Sequence, residues 1–541
     1  MSAFKRLLLV LAFVGFVSLV GSSQVSAVAT TSALKAVPAT RAFDSAVNGR
    51  LSANGVVSIG IVGMGQVPTG ASAAVLNVIA SSPAADGGIK FYASGSPSPL
   101  QTSVTLPTKG SSVVQTLTVP IGADGRISAS SSAAVDMAVD IVGYYSPVSS
   151  TKVGRLRLLN ETKVLDRSVT PVPVNGNVEI TIPTGVARDA EAVVMTVSVS
   201  GALANGSWWL SSQGVSSPIV SGRIGQSASN TVIARPTGGV LRLTTDAGGF
   251  VVVTVSGWFT GRSASTGSDG LFVAQSPMRL VDTNSAMDPL GVGVALHTNW
   301  TLEAAVLGVA GVPTTGVGAL AVVMGATNSH GPGGTTIYPA GQPRPDVRHV
   351  SAAKPGTRAS TSLPVAIGDR GLAVHSASGG DVTVDVIGWY TGSAKVATVA
   401  KPINVMPTPD VFPGLLWVPD LKLFTTVRED TSWVNFDPSH LPESRSPNQP
   451  GNVAIFGHRT SHGREFRNLD RLKVGSLIVL AVGGKIYWYS TSSVEILSPE
   501  DPLLYSSSTN DQTLTLVACH PPGSVKFRIV ARANLVSVTS V

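Results

Sequence analysis

The chain has a single cysteine, Cys519, among its 541 residues. No intrachain disulfide can form, so a disulfide-stapled scaffold is excluded. A structural zinc site built from several cysteines is excluded for the same reason. Charged residues make up 13% of the chain, which is about half the usual share. Helical surfaces normally need many Lys, Glu and Arg residues, so we do not expect long exposed helices.

Long apolar runs and dense charge are also scarce. Only the first twenty or so residues are continuously apolar, which excludes a protein with several membrane spans. The formal net charge of +7 is small for this length, and no block of Lys and Arg marks a nucleic-acid-binding surface. We therefore expect no nucleic-acid partner and only a weak association with anionic polymers of the cell envelope.

The first 27 residues have the three parts of an export signal. Lys5 and Arg6 form a basic start, residues 7–20 are apolar, and residues 25–27 offer small side chains for cleavage. The sequence predicts cleavage after Ala27; the alternative is that the segment is kept as a membrane anchor. Either way we expect the rest of the chain to work outside the cytoplasm, secreted or attached to the cell envelope.

The middle of the chain contains three copies of one pattern, each as long as a whole domain. Each copy opens on a basic–apolar–Asp motif and closes on a strand-like run that ends in Gly and two aromatic residues. The openers are residues 41–44, 163–166 and 279–282, and the closers are residues 139–145, 253–259 and 384–390. Within each copy, short β-rich runs alternate with clusters of Gly, Pro, Ser and Asp, which is typical of an all-β sandwich or barrel.

These copies predict three tandem β-modules, followed by a linker. The modules are expected at 28–147, 155–261 and 271–392, and the linker at 393–414. The opener and closer resemble a β-domain that recurs in secreted and cell-wall proteins of actinobacteria. The second copy departs from the pattern, because Thr254 stands where the others have Asp. The resemblance implies an extracellular module without a specific chemistry.

The recurring opening aspartates, Asp44, Asp166 and Asp282, invite a calcium or ligand interpretation. A calcium loop needs several clustered oxygen donors, and the sequence has no such cluster. We therefore expect each carboxylate to bond its own backbone at a turn, and the closing aromatic residues to lie in the core. No metal and no cofactor is predicted.

The last 140 or so residues are richer in charge and histidine, and they contain candidates for catalysis. His458 follows a strand-like run, and Cys519 ends an alternating run that predicts a strand with one buried face. On a third run, Arg528 and Arg532 share a face because they are four residues apart. A cysteine attacks as thiolate, a nearby histidine handles its proton, and an arginine stabilises an oxyanion. On these residues alone, a buried and inert cysteine remains the alternative.

Four ordered motifs in this segment resemble those of sortases, the cysteine transpeptidases of Gram-positive surfaces. Leu-Trp-Val-Pro-Asp-Leu begins at residue 416, and Pro-Gly-Asn-Val-Ala-Ile-Phe-Gly-His-Arg ends at residue 459. The third motif, residues 466–476, ends in Ser476 where the family usually has Asp, and the fourth, Thr-Leu-Val-Ala-Cys, has Ala518 in place of Thr. The contexts of the histidine and the cysteine look most like class E sortases of actinobacteria.

The resemblance implies a closed eight-stranded β-barrel over residues 415–541, with no cofactor. It implies that Cys519 attacks a Thr–Gly-type bond in the sorting motif of another exported protein, a motif similar to Leu-Ala-x-Thr-Gly in class E. It implies further that His458 protonates the leaving amine and that Arg528 positions the substrate and stabilises the oxyanion. Arg532 is the second candidate for the arginine role. An amine of a cell-wall precursor then resolves the thioester.

Two functions from different classes follow from this sequence. The first is a sortase-like cysteine transpeptidase or protease carried on three β-modules. The second is a non-catalytic surface adhesin or envelope-binding protein whose sortase-like domain serves only as a barrel. The joint presence of Cys519, His458 and Arg528 favours the enzyme. His462 and His520 are expected to have supporting or solvent-facing roles.

Overall fold

The computed structural model describes residues 30–106, 111–284, 295–296, 298–394, 414–429, 431, 434–435, 437–442, 444–447, 449–504 and 511–540. The predicted export signal and nearly all of the predicted linker lie outside these residues. Within them the fold is almost entirely β, with one four-residue α-helix, α1 (Ser45–Asn48). No helix in the described ranges is long and apolar enough to cross a membrane.

The first module is a sandwich of two four-stranded sheets. Its strands are β1 (Thr31–Asp44), β2 (Val56–Gly60), β3 (Ala73–Ser81), β4 (Gly87–Ala93), β5 (Val104–Leu106), β6 (Ser112–Pro120), β7 (Arg126–Ser131) and β8 (Asp136–Pro147). One sheet has the order β1-β8-β3-β6 and the other β2-β7-β4-β5. The apolar core lies between the two sheets.

The second module repeats this topology strand for strand. Its strands are β9 (Leu156–Val172), β10 (Asn177–Thr181), β11 (Ala192–Ser200), β12 (Gly206–Ser212), β13 (Val215–Gly222), β14 (Ala228–Ala234), β15 (Val240–Thr245) and β16 (Gly249–Phe259). The sheet orders, β9-β16-β11-β14 and β10-β15-β12-β13, are those of the first module shifted by eight strands.

The third module has the same order again. Its strands are β17 (Phe272–Asp282), β18 (Trp300–Ala304), β19 (Val317–Thr327), β20 (Gly333–Pro339), β21 (Val350–Ala352), β22 (Ala359–Ala366), β23 (Leu372–Ser376) and β24 (Asp381–Thr391). The sheets are β17-β24-β19-β22 and β18-β23-β20-β21. The predicted all-β fold is confirmed, and of the two forms left open the modules adopt the sandwich.

The three modules pack around a shared apolar cluster. Equivalent residues of the three repeats meet there, as expected for approximate threefold symmetry. The second closing aromatic residue of each copy, Tyr145, Phe259 or Tyr390, is buried in this cluster. The hydroxyl groups of Tyr145 and Tyr390 lie 2.8 Å apart, whereas Phe259 offers no hydroxyl. The second closing aromatic residues thus lie in the core, as predicted. The first of each pair, Tyr144, Trp258 or Trp389, is only partly buried and packs against the core of its own sandwich.

The β3 strand of the first module is an almost continuous apolar run, because both of its faces are buried. Leu76 and Val78 point into the core of the first sandwich, while Ala73 and Val75 point into the cluster between modules. A strand alternates its side chains between two faces, so burial of both faces removes the polar alternation of an ordinary surface strand.

The first and third modules also share a sheet. Strand β1 pairs with β17 at Thr31–Val273 and Ser32–Phe272, and this joins their sheets into one of eight strands. The pairing is only two residues long, and Phe272 at its end also belongs to the apolar cluster that the three modules share.

The opening aspartates have a structural role in all three repeats. In each copy the carboxylate accepts a hydrogen bond from the backbone N–H two residues later, at Ala46, Ser168 or Asn284. This turn is the one expected from the sequence. In the described part of the chain, no group of three His, Cys, Asp or Glu residues could hold a metal ion.

The departure of the second repeat has a cross-strand explanation. In the first repeat Arg41 lies opposite Asp140 and forms a salt bridge with it, and Arg279 does the same with Asp385 in the third. In the second repeat Thr254 lies opposite Lys163 instead. The buried Asp and its arginine are thus exchanged together, so that no carboxylate is left buried without its partner.

The C-terminal segment forms a closed barrel of eight strands. They are β25 (Gly414–Val418), β26 (Leu423–Glu429), β27 (Ser439–His440), β28 (Gly451–Phe456), β29 (Leu477–Val482), β30 (Lys485–Leu497), β31 (Gln512–His520) and β32 (Phe527–Ser540). The order around the barrel is β25-β26-β27-β28-β31-β32-β30-β29. The barrel that the resemblance implied is confirmed.

The barrel lies against the third module through one apolar contact. Trp300, at the start of β18, is 6% exposed, and its ring meets that of Phe424 edge-on at a centroid distance of 3.7 Å. Leu415, Val479 and Ala481 complete the buried part of this contact. The barrel strands in it are β25, β26, β29 and β30, whereas Cys519 and Arg528 lie on β31 and β32 and His458 follows β28.

Candidate active site

Three neighbouring barrel strands bring the predicted catalytic residues together. The central strand, β31, runs parallel to β28 and antiparallel to β32. Cys519 lies directly opposite Arg528. On the other side Phe456 lies opposite Val517, so His458 and Cys519 are each two residues beyond a paired position. The register places Cys519 beside Arg528, and His458 follows the end of the neighbouring strand β28 at the same end of the barrel.

Cys519 belongs to the outer face of the barrel wall. Leu514, Leu516 and Ala518 are buried in the barrel core, so the alternating residues of β31, including Cys519, face outward. The thiol-bearing residue is half-buried. Ala518 points away from Cys519 and into the core, which explains why a methyl group is tolerated where the sortase motif has a threonine.

The outer face next to Cys519 is apolar. Val517 and Val530 are fully buried beneath Leu504, which lies in a 3-10 helix (Pro502–Leu504) between β30 and β31. Phe456 and Leu497 pack against this group. This arrangement gives the cysteine an apolar neighbour on a rigid wall, which suits a site that holds its geometry.

The two candidate arginines differ in their distance from the cysteine along the sheet. Arg528 is opposite Cys519, whereas Arg532 is opposite Thr515, four residues away along the strand. At about 3.3 Å per residue this is about 13 Å. Because both arginines lie on the same face of the strand, the sequence could not decide between them. The pairing of β31 with β32 favours Arg528, since it is the arginine beside Cys519.

The guanidinium of Arg528 is held from one side. Its Nη1 donates hydrogen bonds to the carbonyl oxygens of Val525 at 2.9 Å and Phe527 at 3.1 Å. A guanidinium has five N–H donors, and Nε and Nη2 have no hydrogen-bond partner within the described ranges. Three donors therefore remain for a substrate.

The imidazole of His458 is oriented by two polar side chains. Its Nε2 lies 2.8 Å from the Oδ1 of Asn435, and its Nδ1 lies 3.0 Å from the Oγ of Ser461. Since an amide oxygen only accepts, Nε2 carries the proton of the neutral ring. The ring of His462 stacks on that of His458 at 4.4 Å. Burial, together with the nearby His462, lowers the pKa of His458 from its usual 6.5.

A buried arginine supports the site from behind. Arg459 is 3% exposed, forms a salt bridge with Asp470 at 2.8 Å, and donates through Nη1 to the Nδ1 of His520. Arg459 directly follows His458, and His520 directly follows Cys519. This hydrogen bond therefore links the two segments that carry the candidate histidine and cysteine. This contact gives His520 the supporting role that the sequence left open between two alternatives.

Two residues of this arrangement were not predicted from the sequence as site residues. Asn435 precedes His458 by 23 residues and lies in no recognisable motif. Arg459 was visible only as the neighbour of His458 in the Phe-Gly-His-Arg motif. The signal that could have singled it out was a charged residue directly after a strand end in a chain with little charge.

Residues 416–536 match the family model described as the sortase domain. This part of the chain is a sortase domain. The match includes all three predicted catalytic positions, and it confirms the resemblance that the C-terminal motifs indicated. The likeness of the three preceding modules to actinobacterial secreted β-domains stays a prediction.

The sortase domain is similar to several known sortases. Sortase SrtE1 of Streptomyces coelicolor is 30% identical over 104 residues, which is 18% of this chain and 28% of that relative. The chain thus spans less than a third of the relative's length. The crystal structure of sortase E1 from Streptomyces coelicolor with a tripeptide in the active site is 22% identical and covers 24% of this chain and 91% of that one, with a TM-score of 0.22. A sortase D5 transpeptidase of Clostridium perfringens is 25% identical over 23% of this chain and 78% of that one, also at 0.22.

The third motif of the sortase domain shows how Ser476 replaces the usual aspartate. Its hydroxyl donates to the carboxylate of Asp420 at 2.5 Å and accepts the backbone N–H of Lys473 at 3.1 Å. The carboxylate is therefore supplied from another segment, the 3-10 helix Pro419–Leu421. The turn before β29 therefore still has a side-chain oxygen, the Ser476 hydroxyl, that accepts the backbone N–H of Lys473, although serine stands in place of the usual aspartate.

Proposed function

We propose that this protein is an extracytoplasmic cysteine transpeptidase of the sortase type. The single observation that carries the proposal is the pairing of β31 with its two neighbours: Cys519 lies opposite Arg528 on β32, and β28, on the other side, ends two residues before His458. A barrel retained only for shape has no need for these three side chains at one strand end. The family match over the same residues supports the proposal.

In the proposed reaction the Sγ of Cys519 attacks the carbonyl carbon of a peptide bond. His458 accepts the thiol proton and delivers it to the amine that leaves when the C–N bond breaks, so a thioester remains on the enzyme. The lowered pKa of His458 suits the first of these steps, because an uncharged imidazole is the form that accepts a proton. A second amine then attacks the thioester and releases the thiol.

The role of Arg528 is to bind the oxygen that becomes negatively charged in the tetrahedral intermediate. Arg528 is paired with Cys519 across the sheet and keeps its Nε and Nη2 donors for the substrate, and a donor aimed at the oxyanion lowers the barrier to acyl transfer. The carbonyl contacts of Nη1 hold the guanidinium in place before the substrate arrives. Arg532 lies too far along the strand to share this role.

The proposed partners follow from the sortase family rather than from a bound ligand. They are exported proteins with a sorting motif similar to Leu-Ala-x-Thr-Gly, and an amine of a cell-wall precursor. A secreted or envelope-attached location follows if residues 1–27 act as an export signal.

The decisive experiment is intact-protein mass spectrometry after incubation with a peptide that contains the sorting motif. We expect an added mass equal to the acyl part of the peptide, removed by hydroxylamine and absent in Cys519→Ala, since the chain has no other thiol. A short glycine peptide added as an amine acceptor should appear in the product.

The adhesin alternative makes the opposite prediction for the same measurement. If folded wild-type protein neither cleaves a panel of sorting-motif peptides nor forms an adduct, the barrel is a structural element and the enzyme proposal is wrong. Cleavage that persists in Cys519→Ala would also contradict it.

A further inference from the structure

A cavity of about 310 Å³ lies where all three β-modules meet, far in sequence from the sortase domain. The first module contributes Ser112 and Gln115, the second Ser221 and Arg223, and the third the segment that contains Lys354 and Arg358. A volume at the lower end of the range for small-molecule sites suits a small ligand. None of the described lining residues is aromatic, so no ring is available for stacking.

The floor of the cavity is built by hydrogen bonds between modules. The hydroxyl of Ser360 accepts the N–H of Thr105 at 3.1 Å, which joins the third module to the first. Ser112 and Ser221 join the first to the second at 3.3 Å, and Ser351 and Ser229 join the third to the second at 3.3 Å. These hydrogen bonds hold the three modules in place around the cavity. Each module contributes at least one serine hydroxyl to its floor.

One short motif recurs on its wall. The loops before β14 and β22 contain Arg-Ile-Gly and Lys-Pro-Gly at equivalent places, with each glycine three residues before its strand. Gly225 and Gly356 have φ values of 72° and 74°, which favour glycine. The same left-handed turn thus places a cation, Arg223 or Lys354, at the rim in two of the three repeats.

The positively charged side chains at the rim of the cavity have no intramolecular partner among the described residues. In the part of the chain that the structure describes, the side chains of Arg223, Lys354 and Arg358 form no salt bridge or hydrogen bond. The only acidic residue among the described lining residues is Asp86. Three cations against one carboxylate leave two positive charges beside a hydroxyl-lined cavity.

We propose that this cavity is a binding site for a phosphate group carried on a small polyol. A phosphate monoester has close to two negative charges at neutral pH, which matches the excess charge of the rim. Arg223 and Arg358 can bind phosphate oxygens with paired donors. The serine hydroxyls of the floor largely donate to other protein groups, so their oxygens can accept hydrogen bonds from the hydroxyl groups of the polyol. This function is independent of the peptide chemistry proposed for the barrel.

The test is isothermal titration calorimetry of the full protein with glycerol 3-phosphate. We expect saturable binding that is tighter than that of inorganic phosphate, glycerol or glucuronate, because only glycerol 3-phosphate combines the doubly charged group with a polyol. The double variant Arg223→Gln/Arg358→Gln should bind roughly tenfold more weakly or worse, since each exchange removes a charge-assisted contact to the phosphate. Its melting temperature in the absence of ligand, measured alongside, confirms that the assembly is intact.

A charge-matched control is Arg188→Gln/Arg262→Gln, which removes two exposed arginines away from the cavity. This variant should bind glycerol 3-phosphate as the wild type does. Hydrogen–deuterium exchange should show ligand protection at residues 223–229 and 353–360. The proposal is overturned by an absence of saturable binding, by equal binding of glycerol or glucuronate, by an unchanged affinity in the rim variant, or by an equal loss in the control.

Discussion

Exchange of the two arginines on β32, one at a time, is the sharpest test of the active-site geometry. We expect Arg528→Lys to lower kcat/KM by about 10² to 10³-fold, the cost of losing an oxyanion donor. Lysine keeps the charge but replaces the planar fork by a single ammonium group. That group can satisfy the carbonyls of Val525 and Phe527 or the substrate oxygen, but not both in the geometry that Arg528 adopts.

The matched control is Arg532→Lys on the same strand and the same face. Because Arg532 pairs with Thr515, about 13 Å along the sheet from Cys519, its exchange should leave kcat/KM within about threefold, the size of an ordinary surface effect. The assay is initial-rate cleavage of a quenched fluorescent sorting-motif peptide, with circular dichroism to verify the fold of both variants. A severe defect in Arg532→Lys beside a normal Arg528→Lys would refute the register argument and reassign the oxyanion role.

Three further predictions follow from contacts outside the catalytic positions. Asn435→Ala removes the acceptor that holds the Nε2 proton of His458, so peptide cleavage should slow by at least tenfold while the thiol still reacts with iodoacetamide; an unchanged rate would remove Asn435 from the mechanism. Burial lowers the pKa of His375 to about 4, so the unfolded chain takes up this proton first and the free energy of unfolding should fall by about 3 kcal/mol between pH 6.5 and pH 4. The loss should be absent in His375→Gln, and an equal loss there, measured by urea titration at each pH, would contradict the assignment. Trp300→Ala should lower the free energy of unfolding by about 3–5 kcal/mol and increase hydrogen exchange around Phe424 in the barrel. Trp300→Phe should have a smaller effect on both. Unchanged exchange in the alanine variant would show that this contact does not couple the third module to the barrel.

The features predicted correctly from the sequence are those with a local cause. An aspartate before a turn bonds the backbone two residues later whatever surrounds it, so Asp44, Asp166 and Asp282 needed no tertiary information. The alternation that ends at Cys519 likewise predicted the strand β31 and its core face, although the other face is covered as well, by Leu504 at Val517.

The features that escaped prediction depend on contacts between distant segments. The sequence shows that Arg528 and Arg532 share a face, but only the pairing of β31 with β32 shows which of them meets Cys519. Asn435 reaches His458 from a segment with no motif. The cavity among the modules is invisible in any single repeat, because its wall and floor combine loops from three copies of the pattern.

The short pairing of β1 with β17 has a mechanical consequence. Thr31 lies opposite Val273, and Val273 lies opposite Trp389 near the end of β24. The start of the first module at Thr31 and the end of the third module near Trp389 are thus two strands apart in one sheet. That separation is about 10 Å. A pull between Thr31 and the barrel would therefore first load the joint between the first and third modules, which consists of this pairing and the apolar cluster that the three modules share.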